Sequence, residues 1–355
     1  MTASGKQVLD TPAVTAGTRR TAMPTWVLFT IGLVALVLSV GLAACVGAND
    51  VGLPEIARAV GSRLGLPVEP LSRLLDSLIW QLRVPRVLLA ALVGAMLAVS
   101  GTVLQGLTGN ALADPYLLGV SNGASVGAVA VTLFGLGAGA LGLSGGALLG
   151  ALLSFGLMML LLRGGMRTVR IVLTGVVVGQ LFAALTSLLI MASADAETTR
   201  AITYWLLGSM TSARWDSVVL CAIACAAGLV GCWTRSQALD AFSFGEDTAE
   251  SLGISVRTTR ITTLVLTALL TSVAVASVGA VGFVGLIVPH AARFIVGPRH
   301  RVLMPFAALT GAVFLVWADA LARVALAPRE VPVGVVTALI GVPLFLFILR
   351  KRGEL

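Results

Sequence analysis

Charged residues are scarce in this chain: they occupy 11% of its 355 positions, whereas hydrophobic residues occupy 57%. Soluble globular domains carry roughly 25% charged residues, so this deficit excludes an ordinary water-soluble domain. The long apolar runs are typical of membrane-spanning helices, which need about 20 such residues each. The sequence therefore predicts an all-α, polytopic membrane protein. In a soluble protein a net charge of +8 would suggest nucleic acid binding, but here it arises mostly from arginines that flank the spans. We therefore expect no nucleic acid partner.

Residues that hold nucleotides or carry out catalysis are missing as well. Neither of the two lysines, Lys6 and Lys351, lies in a GxxxxGK[ST] loop, which cradles ATP phosphates. The two histidines, His290 and His300, belong to no HExxH motif, and no GxSxG is present. We therefore expect no enzymatic activity, no metal site and no cofactor bound by this chain. Energy for uphill transport would have to come from another chain.

The four cysteines fall in apolar runs and lack the spacing of metal ligands, so we interpret them as small buried hydrophobic residues. They are Cys45, Cys221, Cys225 and Cys232.

Hydropathy predicts ten spanning helices, and residues 25–355 are expected to form one membrane domain. Residues 1–24 are polar and unpatterned, which predicts a disordered cytoplasmic tail. Residues 47–86 show helical spacing of apolar positions, which predicts a segment lying along the membrane surface. The predicted spans are Thr25–Val46, Val87–Leu107, Leu117–Leu136, Leu143–Leu162, Ile171–Ala192, Asp216–Trp233, Ile261–Ser277, Val281–Val296, Val302–Leu321 and Val331–Leu349.

The distribution of basic residues orients these spans. With the N-terminus inside, 14 lysines and arginines fall on the cytoplasmic side and nine arginines fall outside. Because positive loops favour the cytoplasm, both termini are predicted to be cytoplasmic.

One polar stretch, residues 234–260, interrupts the apolar chain, and we call it the polar island. It is predicted to form two short helices hinged at Gly245, with Glu246 and Asp247 in the first turn of the second helix. Gly253 is predicted to end that helix. A solvated loop and a docking surface for a soluble partner are both compatible with this pattern.

Small and polar residues within the spans indicate close helix packing. Gly119, Gly123 and Gly127 recur every four residues, a spacing that lets helices approach closely in lipid; the pairs Gly135/Gly139 and Gly175/Gly179 repeat it. Uncharged polar residues in the spans would either line a pathway or form hydrogen bonds between helices. They include Ser100, Gln105, Asn122 and Gln180.

An ion-coupled carrier is the alternative from another class. Such proteins place ionisable groups near the middle of the membrane, and His290 and Arg293 are the nearest candidates here. We interpret them instead as structural groups at an inner helix end. A membrane enzyme or a scaffold is a third possibility, although no catalytic set is visible.

Five stretches resemble the membrane subunits of binding-protein-dependent ABC importers for ferric siderophores, haem and vitamin B12. They occur in the order of that family and cover most of the chain from Arg83 onward. They are RVPRVLLAALVGAMLAVSGTVLQGLTGNALADPYLLGVSNGASVGA (83–128), YWLLGSM (204–210), LDAFSFGEDTAESLGI (239–254), GAVGFVGLIVPHAAR (279–293), and ADALAR (318–323) followed by EVPVGVVTALIGVPLFLFIL (330–349).

The resemblance implies a permease with ten helices, which pairs with a second permease subunit around a central pathway, as a homodimer or as a pseudo-dimer of two related chains. It implies two cytoplasmic ATP-binding subunits, which carry the ATP and magnesium, and an extracytoplasmic solute-binding protein. It implies residence in the bacterial inner membrane. The cargo implied is an iron chelate, a ferric siderophore or haem, with vitamin B12 as the alternative.

The resemblance also assigns roles to individual residues. Arg83, Arg86 and Arg323 are expected to meet acidic residues of the binding protein; anchoring a helix at the lipid headgroups is the simpler alternative. Arg329 and Glu330 are weaker candidates, and a pairing between the two is the simpler alternative for them. The polar island becomes the surface that couples to the ATPase, through Asp240, Phe242, Phe244, Gly245, Glu246, Asp247, Glu250, Leu252 and Gly253.

Overall fold

The structure, a computed structural model, describes residues 24–47, 51–135, 140–192 and 196–352. Most of the predicted N-terminal tail, residues 1–23, therefore lies outside the described residues. The helices are α1 (Thr25–Cys45), α2 (Leu53–Arg63), α3 (Arg73–Ser77), α4 (Val84–Thr108), α5 (Val120–Leu133), α6 (Ala140–Leu161), α7 (Thr168–Ala192), α8 (Ala196–Leu206), α9 (Trp215–Trp233), α10 (Ser236–Phe242), α11 (Glu246–Ser251), α12 (Val256–Val278), α13 (Val284–Val296), α14 (His300–Val324) and α15 (Val333–Arg352).

Each of the ten predicted spans coincides with one helix, and the all-α fold is confirmed. Within the described residues, seven helices are long and apolar enough to cross a membrane. Three shorter apolar helices, α5, α13 and α15, account for the remaining predicted spans. Helix α5 is shorter than predicted because a separate 3₁₀ turn, Pro115–Leu118, precedes it.

Two local predictions were wrong. Residues 73–86 do not form a separate surface segment: α3 continues through a π-helical turn, Leu78–Arg83, directly into α4. Helix α8 was not predicted, because its amphipathic sequence lacks the long apolar run on which the span assignment depended. The first part of the same segment does form an amphipathic helix, α2, as its spacing predicts.

Helix α4 lies at the centre of the bundle and packs against α9, α12, α13 and α14. Its most extensive contact is with α14, where Gly94 faces Gly311. A Cβ atom added to Gly94 would lie 2.2 Å from the carbonyl oxygen of Gly311. Only two glycines allow the two backbones to come this close, since any side chain would separate the helices.

A second small-residue contact joins α5 to α6 and confirms the packing role predicted from glycine spacing. A Cβ atom on Gly127 would lie 1.9 Å from the carbonyl oxygen of Gly146, and one on Gly123 would meet Ser154 and Gly150. Gly135 faces open space, so that part of the pattern carries no packing contact, and its partner Gly139 lies outside the described residues.

We predict that Gly94→Ala lowers the thermal stability of the purified protein in detergent. Overpacking of this kind costs about 1–3 kcal/mol, which exceeds the gain of up to about 1 kcal/mol from replacing glycine by alanine in a helix. Gly145→Ala, on α6, is the matched control because its added Cβ meets nothing within 4 Å. Equal melting temperatures for the two variants would contradict the proposed crossing.

Candidate functional site

Two polar groupings lie at opposite ends of the α4–α14 pair. One is the polar island. The other, which we call the arginine cluster, consists of Arg83, Arg86, Asp319, Arg323 and Glu330. Twenty residues of α4 separate Arg86 from Gly106, where His300 of α14 packs beside the polar island. At 1.5 Å per residue this is about 30 Å, the thickness of the hydrocarbon core of a bilayer.

Arg86 is the centre of the arginine cluster. Its Nη2 atom lies 2.9 Å from Oδ1 of Asp319, and its Nη1 atom lies 2.9 Å from Oε2 of Glu330. Asp319 is fully buried (0% exposed), and burying a carboxylate is costly unless it is paired and hydrogen-bonded. Arg86 therefore joins the start of α4 to the end of α14 and to the segment that leads into α15.

Arg83 and Arg323 are buried beside Arg86 and close the end of α1. Nη1 of Arg83 donates to the carbonyl oxygens of Ala44 and Cys45, both at 3.0 Å, and Nη1 of Arg323 donates to that of Val46 at 2.6 Å. These carbonyls are among the last of α1, which have no partner within the helix.

The arginine cluster retains capacity for an anion. Three guanidinium groups face two carboxylates, so one positive charge is in excess. Nη2 of Arg323 is buried and has no hydrogen-bond partner among the described residues. A cavity of about 270 Å³ is lined by all three arginines and Glu330. The cluster thus brings together the three arginines selected from the sequence.

The alternative in which Glu330 pairs with Arg329 is not the arrangement found. Glu330 pairs with Arg86 instead, while its own carbonyl oxygen accepts a hydrogen bond from the hydroxyl of Tyr204 on α8, at 2.7 Å. The Glu330 carboxylate binds Arg86 rather than the adjacent Arg329 because the guanidinium of Arg86 is partly buried and held in a fixed orientation.

The polar island folds as its sequence predicts. Helices α10 and α11 meet at Gly245, which has a φ of 98°, and α11 is followed by Gly253 with a φ of 80°. Both values lie in a region that residues with a Cβ rarely adopt. Glu246 and Asp247 occupy the first turn of α11.

Asp240 attaches α10 to α14. Its Oδ1 atom accepts a hydrogen bond from the backbone N–H of His300 at 2.9 Å and lies 2.6 Å from Nδ1 of the same residue. Burial tends to raise the pKa of the Asp240 carboxyl, but these hydrogen bonds outweigh it and hold the pKa below its usual value. Asp240 thus serves as the N-terminal cap of α14 from a distant part of the chain.

Glu246 attaches α11 to α12. Its carboxylate binds the guanidinium of Arg260 with two contacts, at 2.5 and 3.0 Å. Arg260 also lies over the ring of Phe242, 5.9 Å from the ring centre. Asp240 and Glu246 therefore hold the polar island against the bundle.

The polar island also carries exposed apolar residues. Phe244 is 74% exposed and Leu252 is 67% exposed, and the acidic residues Asp247 and Glu250 are exposed as well. Phe242 differs from them: it is half-buried and packs on a small core of Ala241, Ala249 and Val256. Phe244 and Leu252 are thus the exposed large apolar residues of the polar island, whereas Phe242 belongs to its small core.

The candidate pathway residues occupy different environments. Ser100 and Gln105 are buried, and the Gln105 amide donates to the carbonyl oxygen of Leu286 at 3.0 Å. The Asn122 amide donates to the carbonyl oxygen of Gly179 at 2.9 Å. Gln105 and Asn122 thus make the contacts between helices that the alternative interpretation predicts. Gln180 is exposed on α7, and a pathway role stays a prediction for all four.

The candidate groups for ion coupling, His290 and Arg293, lie on α13. His290 is buried, with its ring edge-on to those of Phe294 and Phe345, and Nη2 of Arg293 donates to Oε1 of Gln105 at 3.3 Å. In the part of the chain that the structure describes, no group of three or more His, Cys, Asp or Glu side chains is placed to hold a metal ion.

Sequence reasoning assigned no role in these two sites to Arg260, His300, Asp319 and Tyr204. Their rarity in the sequence could have drawn attention to them. Polar side chains next to long apolar runs are costly to bury without partners, so each is expected to have one. Their partners could not be identified, since Arg86 and Asp319 are 233 positions apart in the sequence.

Known proteins resemble this chain over nearly its whole length. The sequence profile of the FecCD transport family matches residues 33–351. The chain is 37% identical over 331 residues to YvrB, an uncharacterised ABC transporter permease protein of Bacillus subtilis, covering 91% of this chain and 93% of YvrB. It is 41% identical over 308 residues to the cobalamin import system permease protein BtuC of Halobacterium salinarum, covering 85% and 80%.

A solved structure also resembles this chain. A metal-chelate type ABC transporter, seen in an inward-facing conformation, superimposes with a TM-score of 0.81 at 30% sequence identity, covering 92% of this chain and 100% of that one. Since the family profile and the curated relatives span the helical bundle together with both polar groupings, the chain belongs to the FecCD transport family and is a multi-span ABC transporter permease.

Proposed function

We propose that this chain is the membrane subunit of an importer driven by ATP hydrolysis on separate subunits. Two copies surround a central pathway, two ATP-binding subunits carry ATP and magnesium, and a solute-binding protein delivers the cargo. The observation that carries this proposal is the pair of polar groupings about 30 Å apart, one with excess positive charge and one with an exposed apolar pair. Each offers a surface for a different soluble partner, one on each side of the membrane.

Orientation follows from the same two sites. The polar island is on the cytoplasmic side, where ATP is available, and so are both termini. The arginine cluster then faces the outside of the inner membrane. The excess of basic residues on the island side supports this orientation.

The cargo is a metal chelate, and an iron chelate such as a ferric siderophore or haem is the first candidate. Vitamin B12 is the alternative, because a relative at 41% identity is named as a cobalamin permease.

Transport by the reconstituted complex tests the function. In proteoliposomes that contain the chain, its ATPase subunits and its binding protein, we expect uptake of one chelate to require ATP. Ferric siderophores, haem and cobalamin are supplied separately, and only the cognate chelate should accumulate. Uptake by the chain alone under a proton or sodium gradient would contradict the proposal and favour a carrier.

A second prediction concerns the exposed pair on the polar island. Phe244→Asp combined with Leu252→Asp should reduce binding of the ATPase subunits by about tenfold or more, because burial of two large apolar side chains is lost. Binding is measured by sedimentation with inside-out membrane vesicles, where the island is accessible. Right-side-out vesicles should bind no ATPase subunits.

Leu74→Asp is the matched control for this experiment, since Leu74 is 82% exposed but lies in α3, at the other end of the bundle. It should leave ATPase binding unchanged. Normal binding by the Phe244/Leu252 variant would show that the polar island is only a solvated loop, and binding to right-side-out vesicles would reverse the orientation.

A third prediction separates docking from anchoring at the arginine cluster. Arg323→Gln should weaken binding-protein affinity about tenfold, because a charge-assisted hydrogen bond to a partner carboxylate is lost. Glu330→Gln should strengthen it, because this acid competes for Arg86. Both effects should shrink as salt is raised. Affinities are measured by surface plasmon resonance on the protein in nanodiscs.

Arg73→Gln, an exposed arginine in α3, is the control and should have little effect on affinity. A purely structural cluster predicts that Arg323→Gln and Glu330→Gln both impair the protein. Opposite signs for the two variants therefore support docking, and equal losses contradict it.

A further inference from the structure

Arg260 connects the polar island to a part of the bundle that the proposed coupling surface does not touch directly. This residue is in the first turns of α12 and is 4% exposed. Its two terminal nitrogens bind Glu246 of α11 on one side. On the other side they reach the turn between α6 and α7 and the start of α7.

The second set of contacts consists of hydrogen bonds to fixed positions. Nη1 donates to the carbonyl oxygen of Met166 at 2.7 Å, and Nη2 donates to Oγ1 of Thr168 at 3.1 Å. Met166 lies in the turn and Thr168 is the first residue of α7. Arg260 is therefore bonded at the same time to α11 and to the base of α7.

The surrounding structure makes this link mechanically important. The turn, α11 and the start of α12 are separated by an open groove of about 850 Å³, lined by Arg163, Met166, Glu246 and Glu250 among others. Helix α12 packs directly on α6, whereas α11 lies across this groove from the turn, so the contacts of Arg260 join α11 to the base of α7. The planar guanidinium of arginine suits this link, because it makes several hydrogen bonds in one fixed geometry.

We propose that Arg260 acts as a clasp that makes α11 and the base of α7 move as one body. A displacement of the polar island by the ATPase is then delivered to α7, the helix that carries the exposed Gln180. Arg260 is a positioning residue that binds neither ATP nor cargo. This proposal rests on the proposed function for the source of the motion, whereas the clasp itself is a property of this chain alone.

A spin-label experiment tests the clasp without any partner. Labels are placed on Arg163→Cys and Ser251→Cys, both exposed, in a background whose four cysteines are replaced by alanine. The protein in nanodiscs should give one narrow distance. Adding Arg260→Gln should broaden or shift it, and so should Arg260→Lys, which keeps the charge but loses the fork. Arg257→Gln, an exposed arginine on the same helix, is the control and should leave the distance unchanged.

Transport by the complete complex tests the consequence. Arg260→Lys should retain the ATPase subunits and ATP hydrolysis, while the cargo moved per ATP falls about fivefold or more, the lower range of a coupling free energy between sites. Arg257→Gln should match the wild type. An unchanged ratio, or a spin-label distance that does not respond to Arg260, would overturn the clasp.

The two proposals fail in distinguishable ways. If the wild-type complex shows no ATP-driven uptake while the spin-label distance still responds to Arg260, the proposed function is wrong and the clasp stands. If Arg260→Lys loses its ATPase subunits, the spin labels are read in the wild-type complex with and without ATP. A constant distance then supports one moving body, and a changing distance contradicts it.

Discussion

The close crossing of α4 and α14 at Gly94 and Gly311 is the contact on which the rest of the structure depends. Two backbones approach there without side chains between them, so the two helices run together over their whole length. In lipid, where apolar side chains gain little by leaving the solvent, such close packing is a main source of association. The crossing fixes which ends of the two helices meet, and each of the two polar groupings forms at one of these ends.

Both groupings follow one electrostatic rule. A charge near the hydrocarbon core must be paired or satisfied by backbone groups, and each buried charge described above meets this requirement through a distant partner. Arg86 binds Asp319 and Glu330, Arg83 and Arg323 bind the end of α1, and Arg260 binds Glu246. These pairs stabilise the ends of the bundle. Groups that take no part in them are available to partner proteins: one excess positive charge at one end, and the exposed side chains of Phe244 and Leu252 at the other.

The same residues can therefore serve the fold and the function. An arginine that closes α1 also lines a cavity suited to a partner carboxylate, and an acid that begins α11 also holds the polar island to the bundle. Because Arg86 and Glu246 hold helices together, reversing the charge of either residue would impair folding as well as any docking. Exposed positions and unpaired donors, such as Phe244 and Nη2 of Arg323, separate the two effects.

The sequence by itself determined the class of protein, the positions of the ten apolar helices and the hinge at Gly245, because hydropathy and glycine conformation act locally. It failed at α8 and at residues 73–86, where amphipathic sequence is compatible with more than one placement. Only the tertiary structure decided which charges pair: Glu330 with Arg86 rather than Arg329, Asp240 with His300, and Arg260 with Met166 and Thr168. The reason is physical, since these contacts join residues that are distant in sequence and become neighbours only when glycine faces bring their helices together.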